Sequence, residues 1–344
     1  MARKSVPSRS LNNSSVPEDK TTINYFPHLH PYADPTTGLL SRVPSSWIPY
    51  CQLMRLDRPG GLYAFYFPYL IGLAFAACIA PTPPSVAKLL AVMLEFLPLS
   101  VLLRGAACTW NDTVDQDFDR RVERCRHRPV ARGAISTTKA SLFTLAQILG
   151  LYAIVSTLPS ACMAHVAFAT ILFFIYALMK RVTYYPQVVL GFPFAWSIFV
   201  SIGALGMTPL DGHHIKATIA LCAANVFWTI TYDTIYAHQD IEDDEKAGVK
   251  GMALRFRHTT KTLASVLSIA QVACLALCGG FADFGIHYFI GTVGGVAFSM
   301  TYFIYDVDLQ NPESCGSWFR DQFFIVGAGF LSGLMSEYTM KLMV

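Results

Sequence analysis

The sequence predicts an all-α integral membrane protein, a bundle of about nine transmembrane helices, and three observations carry that expectation. Hydrophobic residues make up 53% of the 344 positions and charged residues only 14%, where soluble domains carry about a quarter charged. The mean hydropathy is +0.41. From Trp47 onward, apolar segments close to the ~20 residues needed to cross a bilayer follow one another, and the charged residues fall in alternate connections between them. A formal net charge of +3 on so apolar a chain argues against nucleic acid as a partner.

Taken in order, residues Met1 to Ser46 are rich in Ser, Pro and Asn, lack an apolar h-region, and are expected to form a flexible polar tail and not a secretory signal. Arg3, Lys4 and Arg9 among serines suggest a mitochondrial presequence; Glu18 and Asp19 argue against one. Residues 47–344 form the transmembrane domain. The expected spans are Leu62 to Ala80, Ala87 to Cys108, Leu142 to Leu158, Ala161 to Met179, Val188 to Met207, Ala217 to Ile235, Leu263 to Ala282, Ile286 to Tyr305 and Phe323 to Met340. After the second, fourth and sixth spans come an arginine run from Arg120 to Arg132, then Lys180 with Arg181, then Lys246, Lys250, Arg255, Arg257 and Lys261, whereas the opposite connections hold little besides Lys88 and Lys216. By the positive-inside rule the tail and these loops face the cytosolic side, and an odd span count puts the C-terminus opposite. The nine cysteines lack paired CxxC spacing, so neither a disulfide framework nor a zinc site is expected.

The chemistry concentrates between Arg104 and Gly133. Asn111, Asp115 and Asp119 recur every four residues, with Asp112 and Asp117 beside them, and six arginines follow directly. On a helix this spacing stacks oxygen ligands on one face. Alone it reads as a solvated acidic helix end. Beside an apolar segment and an arginine run it suggests a divalent cation with a bound diphosphate, because Mg²⁺ takes carboxylate oxygens and substrate phosphates into its shell. A second acidic run follows the sixth span, with Asp240 and Asp244 four apart and Asp233 two helical turns earlier. Two such runs on one side of the membrane could close on a metal ion from two directions, as ionising an allylic diphosphate requires. His127 and His238 show no paired ligand spacing and are expected to be loop residues.

The pair NDTVDQDFD (Asn111 to Asp119) and YDTIYAHQDIEDD (Tyr232 to Asp244) resembles the UbiA family of membrane prenyltransferases, whose signatures are NDxxDxxxD and a later DxxxD. LMRLDRPGG (Leu53 to Gly61), RHRPVARGAIS (Arg126 to Ser136) and MKRVTYYPQVVLG (Met179 to Gly191) agree with it. The wording around these motifs is most similar to fungal farnesyltransferases of meroterpenoid pathways, and ubiquinone-pathway 4-hydroxybenzoate polyprenyltransferases share YDTIYAHQD. One departure is Gly251, where the family often has Ser.

The resemblance implies a helical bundle around a central cavity that opens at the charged loops. It implies that Asn111, Asp115, Asp119, Asp240 and Asp244 ligate Mg²⁺, that Asp115, Asp240 and Lys180 carry the catalysis, and that Arg104, Arg128, Tyr176, Lys180 and Arg181 bind substrate. Arg104, seven residues before Asn111, is expected to share its helix face, either orienting the acceptor or pairing with a neighbouring acid. The implied reaction transfers a farnesyl group from its diphosphate to a carbon of a phenolic acceptor, in the endoplasmic reticulum or another endomembrane, with the mitochondrial inner membrane as the alternative. The competing class is a transporter, but transporters commonly place charges near the midplane, and these cluster in connections on one side.

Overall fold

In the computed structural model, which describes residues 25–208, 212 and 214–343, nine helices are long and apolar enough to cross a membrane. They are α1 (Gly60–Ile79), α2 (Val86–Val114), α3 (Thr137–Val155), α4 (Ala161–Val182), α5 (Pro186–Ala204), α6 (Ile215–Ala237), α7 (Thr260–Phe281), α8 (Ile286–Asp306) and α9 (Pro312–Met343). Ser85 and Ser136 accept the amides of Lys88 and Lys139 (both 3.3 Å) and so start α2 and α3 as N-caps. The described residues contain no strand, and each spanning helix satisfies its own backbone groups in an apolar solvent.

Helices α1 and α5 are the inner pair: 78% of the residues in their apolar stretches are buried, against 28% in α2 and α3, whose outer faces are left for lipid. α1 packs on α2, α5 and α9, and α6 lies against α5, α7 and α9. The α1–α5 crossing is close because Gly72 has no side chain; a Cβ there would lie 2.8 Å from the Ile198 Cα. Lipid tails are as apolar as the helices, so buried polar contacts and close packing carry the association. The Ser201 hydroxyl donates to the Tyr69 carbonyl (2.9 Å) between α5 and α1, and the Trp228 indole to Gln322 Oε1 (2.7 Å) between α6 and α9. Lys341, near the end of α9, donates to the carbonyls of Cys78 and Ala80 at the end of α1. All nine cysteines are free thiols.

Three boundaries differ from expectation. α2 continues past Cys108 to Val114, so the first acidic run begins inside a membrane helix. α9 begins at Pro312 and not Phe323, because Glu313, Arg320 and Asp321 mask its first turns in a hydropathy reading. The polar tail is ordered earlier than expected: Leu40 is buried, and Tyr25, Phe26 and Tyr32 lie on arginines of the loop after α2. The presequence expectation on Arg3 to Asp19 lies outside the described residues.

Candidate active site

α2 delivers Asn111 and Asp112 to the bundle's charged end and breaks at Asp115, whose backbone (φ −90°, ψ 9°) leaves the helix; Gln116–Asp119 forms a separate turn. The continuous acidic face expected from the spacing is therefore interrupted. Its register survives, because the Asp115 amide still donates to the Asn111 carbonyl and the Asp119 amide to the Asp115 carbonyl (both 2.8 Å). Asp112, Asp115 and Asp119 are almost completely buried, at 0, 1 and 4% exposure, which buried charges tolerate only when paired. Three segments supply the partners. Lys180 Nζ stands 3.0 Å from Asp115 Oδ2, Arg128 Nη1 2.8 Å from Asp119 Oδ1, and Arg55 Nη2 2.5 Å from Asp112 Oδ1. Burial pushes the Asp119 carboxyl up to about 6, against the pull of Arg128.

The second run begins at the end of α6, where a 3₁₀ turn (His238–Asp240) leads into the short helix Ile241–Ala247, ended by Gly248 at φ 75°. Arg124 from the first loop grips Asp240 through Nε (2.7 Å) and Nη2, and donates to the Tyr236 hydroxyl (3.1 Å). Asp243 accepts the Glu123 amide (2.8 Å), and Val122, Cys125, Ala247 and Val249 form a small apolar cluster between the runs. The two acidic runs, 120 residues apart in sequence, are thus fastened into one structure.

They enclose a polar cavity of about 200 Å³, lined by Asn111, Asp115, Asp119, Asp240 and Asp244 together with Arg128, Tyr176 and Lys180. A second cavity of about 210 Å³ adjoins it. Asn111, Arg124, Arg128, Tyr176, Asp233 and Tyr236 line both. The deeper walls of the second cavity include Phe65, Phe173 and Phe194, whose ring centroids lie 4.9 to 5.0 Å apart. An acidic, basic-rimmed mouth therefore leads to an aromatic chamber.

Three expectations about the site change. Arg104 is buried and lines the aromatic cavity, but it pairs with no acid: its guanidinium donates to the carbonyls of Arg55 (3.0 Å) and Arg58 (2.5 Å), clamping the LMRLDRPGG segment. Arg181 lines neither cavity: it bonds Asp117 (2.6 Å) and the Val114 carbonyl (2.7 Å) and stacks on Phe118 at 4.2 Å, while its Nη2 stands 3.9 Å from Asp115 Oδ1 on the cavity wall. That bond holds the Asp117 carboxyl below the usual range. His127 lies in the loop as expected, but His238 does not: it is buried at the end of α6, its Nε2 2.9 Å from the Thr260 hydroxyl. Gly251 adopts extended backbone (φ −168°) that any residue accepts, and a Cβ there would lie 3.8 Å from Gln187 Nε2, so Gly in place of Ser leaves the wall undisturbed.

Sequence reasoning passed over Arg124, the Arg55–Asp112 pair and the aromatic chamber. Arg124 is one of six arginines in its run, and nothing in their spacing singles it out; LMRLDRPGG was the available signal for Arg55.

The donor set suits a hard cation. Asn111 Oδ1 and Asp115 Oδ1 are buried oxygens with no hydrogen-bond partner, one helical turn apart on the cavity wall. Among the described residues no three acidic, His or Cys side chains close on one point, so the two oxygens could supply only part of a divalent cation's shell, the rest coming from water and substrate phosphate.

The model of the UbiA prenyltransferase family matches residues 65–328. The chain belongs to the UbiA prenyltransferase family. It is 43% identical over 270 residues to the prenyltransferase ascA of Acremonium egyptiacum, covering 78% of this chain and 80% of that one. It is 32% identical over 303 residues to the DMOA farnesyltransferase nvfB of Aspergillus novofumigatus (88% and 95% covered), and 35% identical over 307 residues to the mitochondrial 4-hydroxybenzoate polyprenyltransferase of Saccharomyces cerevisiae (88% and 80%). A solved UbiA homologue from Archaeoglobus fulgidus, bound to GPP and Mg²⁺, shares the fold with a TM-score of 0.60 at 20% identity, over 85% of this chain and 99% of that one. This UbiA member is a multi-pass membrane enzyme that transfers prenyl groups, and the transporter alternative falls with that membership.

Proposed function

We propose that this enzyme transfers a farnesyl group from its diphosphate to a ring carbon of a phenolic or aromatic polyketide acceptor, with Mg²⁺, in fungal meroterpenoid biosynthesis in an endomembrane. The observation that carries the reading is the junction of the two cavities. Buried, unpartnered oxygens and the cations Lys180, Arg124 and Arg128 stand at the mouth, and an aromatic chamber lies directly behind. The relative that acts as a DMOA farnesyltransferase supports the chain length and acceptor class.

Asn111, Asp115 and Asp119 on one side, with Asp240 and Asp244 on the other, would hold the cation; when bound, it neutralises charge on the departing diphosphate. Lys180, partly exposed beside the buried Asp115, binds the diphosphate as a point charge, and Arg128 adds a planar fork. The allylic C–O bond breaks with its electron pair leaving on the diphosphate. The acceptor carbon ortho to a hydroxyl then bonds to the terminal carbon of the farnesyl cation, and the ring loses a proton. Phe65, Phe173 and Phe194 exclude water that would otherwise capture the cation, and their π-faces favour positive charge. Tyr176 and Asp233, which line both cavities, stand where the two substrates meet. Arg104 acts as a positioning residue through the two carbonyls it binds.

The yeast relative supports a second reading, 4-hydroxybenzoate as acceptor with a longer chain. Membranes containing the protein, given farnesyl or a longer prenyl diphosphate with either a polyketide phenol or 4-hydroxybenzoate, separate the two by product mass. EDTA should abolish the product and Mg²⁺ restore it; full activity in EDTA would refute the metal site.

A further inference from the structure

Residues 25–34 lie across the arginine loop after α2. Tyr32 is their main anchor: the Arg132 guanidinium stacks 3.8 Å from its ring centroid, its hydroxyl accepts from Gln52 Nε2 (2.9 Å), and the His127 ring is 5.7 Å away. Arg126 adds a bond to the His30 carbonyl (3.0 Å) and a contact with the Phe26 ring. Beneath Pro31, Tyr32 and Ala33 lies a third cavity, of about 240 Å³. Its inner wall is Arg55, Arg58, Arg124 and Arg128, and the same four side chains line the aromatic chamber. The segment thus roofs an antechamber that adjoins the aromatic chamber across these four arginines.

The two substrates differ in the phase they come from. A prenyl diphosphate matches the acidic mouth with its head and the aromatic chamber with its chain, and that leaves the antechamber, whose walls are mostly polar, for the partner that arrives from water. A flat phenol suits a slot bounded by a tyrosine ring and guanidinium planes, which stack on aromatic faces. We propose that residues 25–34 form the roof of the acceptor entrance and that Tyr32 is the residue that limits the size of aromatic acceptor admitted. This rests on the prenyl-transfer reading above.

The test uses the full-length protein and its Tyr32→Ala and Tyr32→Phe variants, with farnesyl diphosphate as donor and two acceptors, a single-ring phenolic acid and a fused two-ring analogue. Tyr32→Ala should raise KM for the single-ring acceptor by up to about tenfold, the worth of one ring-on-ring contact of roughly 0.5–1.5 kcal/mol. It should also shift the kcat/KM ratio toward the two-ring acceptor, with donor KM held within about twofold by the same argument that the donor lies in other cavities. Tyr32→Phe keeps the stacked ring and should recover most of the single-ring KM, which a variant that merely folded poorly would not. Equal losses for donor and both acceptors, or no change in acceptor preference, would overturn the roof while leaving the reaction intact. If the unaltered protein binds farnesyl diphosphate yet prenylates neither acceptor, the reaction reading and the roof fall together.

Discussion

The Arg104 clamp gives the sharpest test of how the site is held. Its buried guanidinium satisfies two carbonyls of the segment that carries Arg55 to Asp112. Hydrogen bonds from a charged donor contribute about 1.5–3 kcal/mol each, so losing both in Arg104→Ala should cost roughly 3–6 kcal/mol. The lower figure corresponds to a change on the order of a hundredfold. Arg104→Lys brings one ammonium to at most one carbonyl and should recover only part of this. A third variant reaches the same clamp from the other side. A Cβ on Gly61 would stand 2.7 Å from Arg104 Nη2, so Gly61→Ala must displace the guanidinium and should resemble Arg104→Lys. Kinetics with both substrates and thermal melting of the purified variants decide the matter. If Arg104 positions the segment, kcat/KM falls for donor and acceptor together and the melting temperature drops. Near-normal behaviour of Arg104→Lys, or a loss confined to acceptor KM, would refute the clamp and restore a direct role in acceptor binding.

Four further outcomes follow from the same geometry. Asp115→Asn and Asp240→Asn keep size and remove charge; each should lower turnover by about a hundredfold or more at unchanged protein level in the membrane, measured by product formation against immunoblot. Arg181→Ala should cost less than about 1 kcal/mol and change donor KM by less than about threefold, because its short ion pair, to Asp117, is half-exposed on the rim and Asp115 stands 3.9 Å away with Lys180 closer; a tenfold rise in donor KM would return Arg181 to the diphosphate site. Gly333→Ala would set a methyl 2.6 Å from the Thr292 amide at the α8–α9 crossing and should destabilise the fold by about 1–3 kcal/mol, read as a lower melting temperature. Reporters in the loops near Arg121 and Lys250 should lie on one side of the membrane and a reporter after Val344 on the other; the two loops on opposite sides would dismantle the shared cavity.

The apolar helices and both acidic runs were legible because length and period are local properties. Nine near-20-residue segments need no knowledge of their neighbours, and the four-residue spacing of Asn111, Asp115 and Asp119 survives even a helix break. What escaped depends on contacts between distant segments. Arg104 could be placed on the face of Asn111, but not matched with carbonyls 46 and 49 residues earlier. The partner of Asp240 lies 116 residues away among chemically identical arginines. Residues 25–34 looked like tail because composition records polarity, while the cation–π contacts that order them depend on Arg121, Arg126 and Arg132 being presented beneath.

The junction of a charged mouth with an aromatic chamber makes the reaction, on the proposed reading, a crossing between phases. The acceptor enters as a water-soluble ring and gains fifteen apolar carbons inside the protein. Each buried CH₂ favours an oily surrounding by about 0.8 kcal/mol, so the product partitions into lipid and its return through a polar, arginine-lined entrance is strongly disfavoured. Diphosphate, with the opposite preference, departs into water. The two products separate as they form, and the step is driven forward by solubility as well as by the broken phosphate ester. Whatever enzyme next modifies the prenylated ring must collect it from the bilayer.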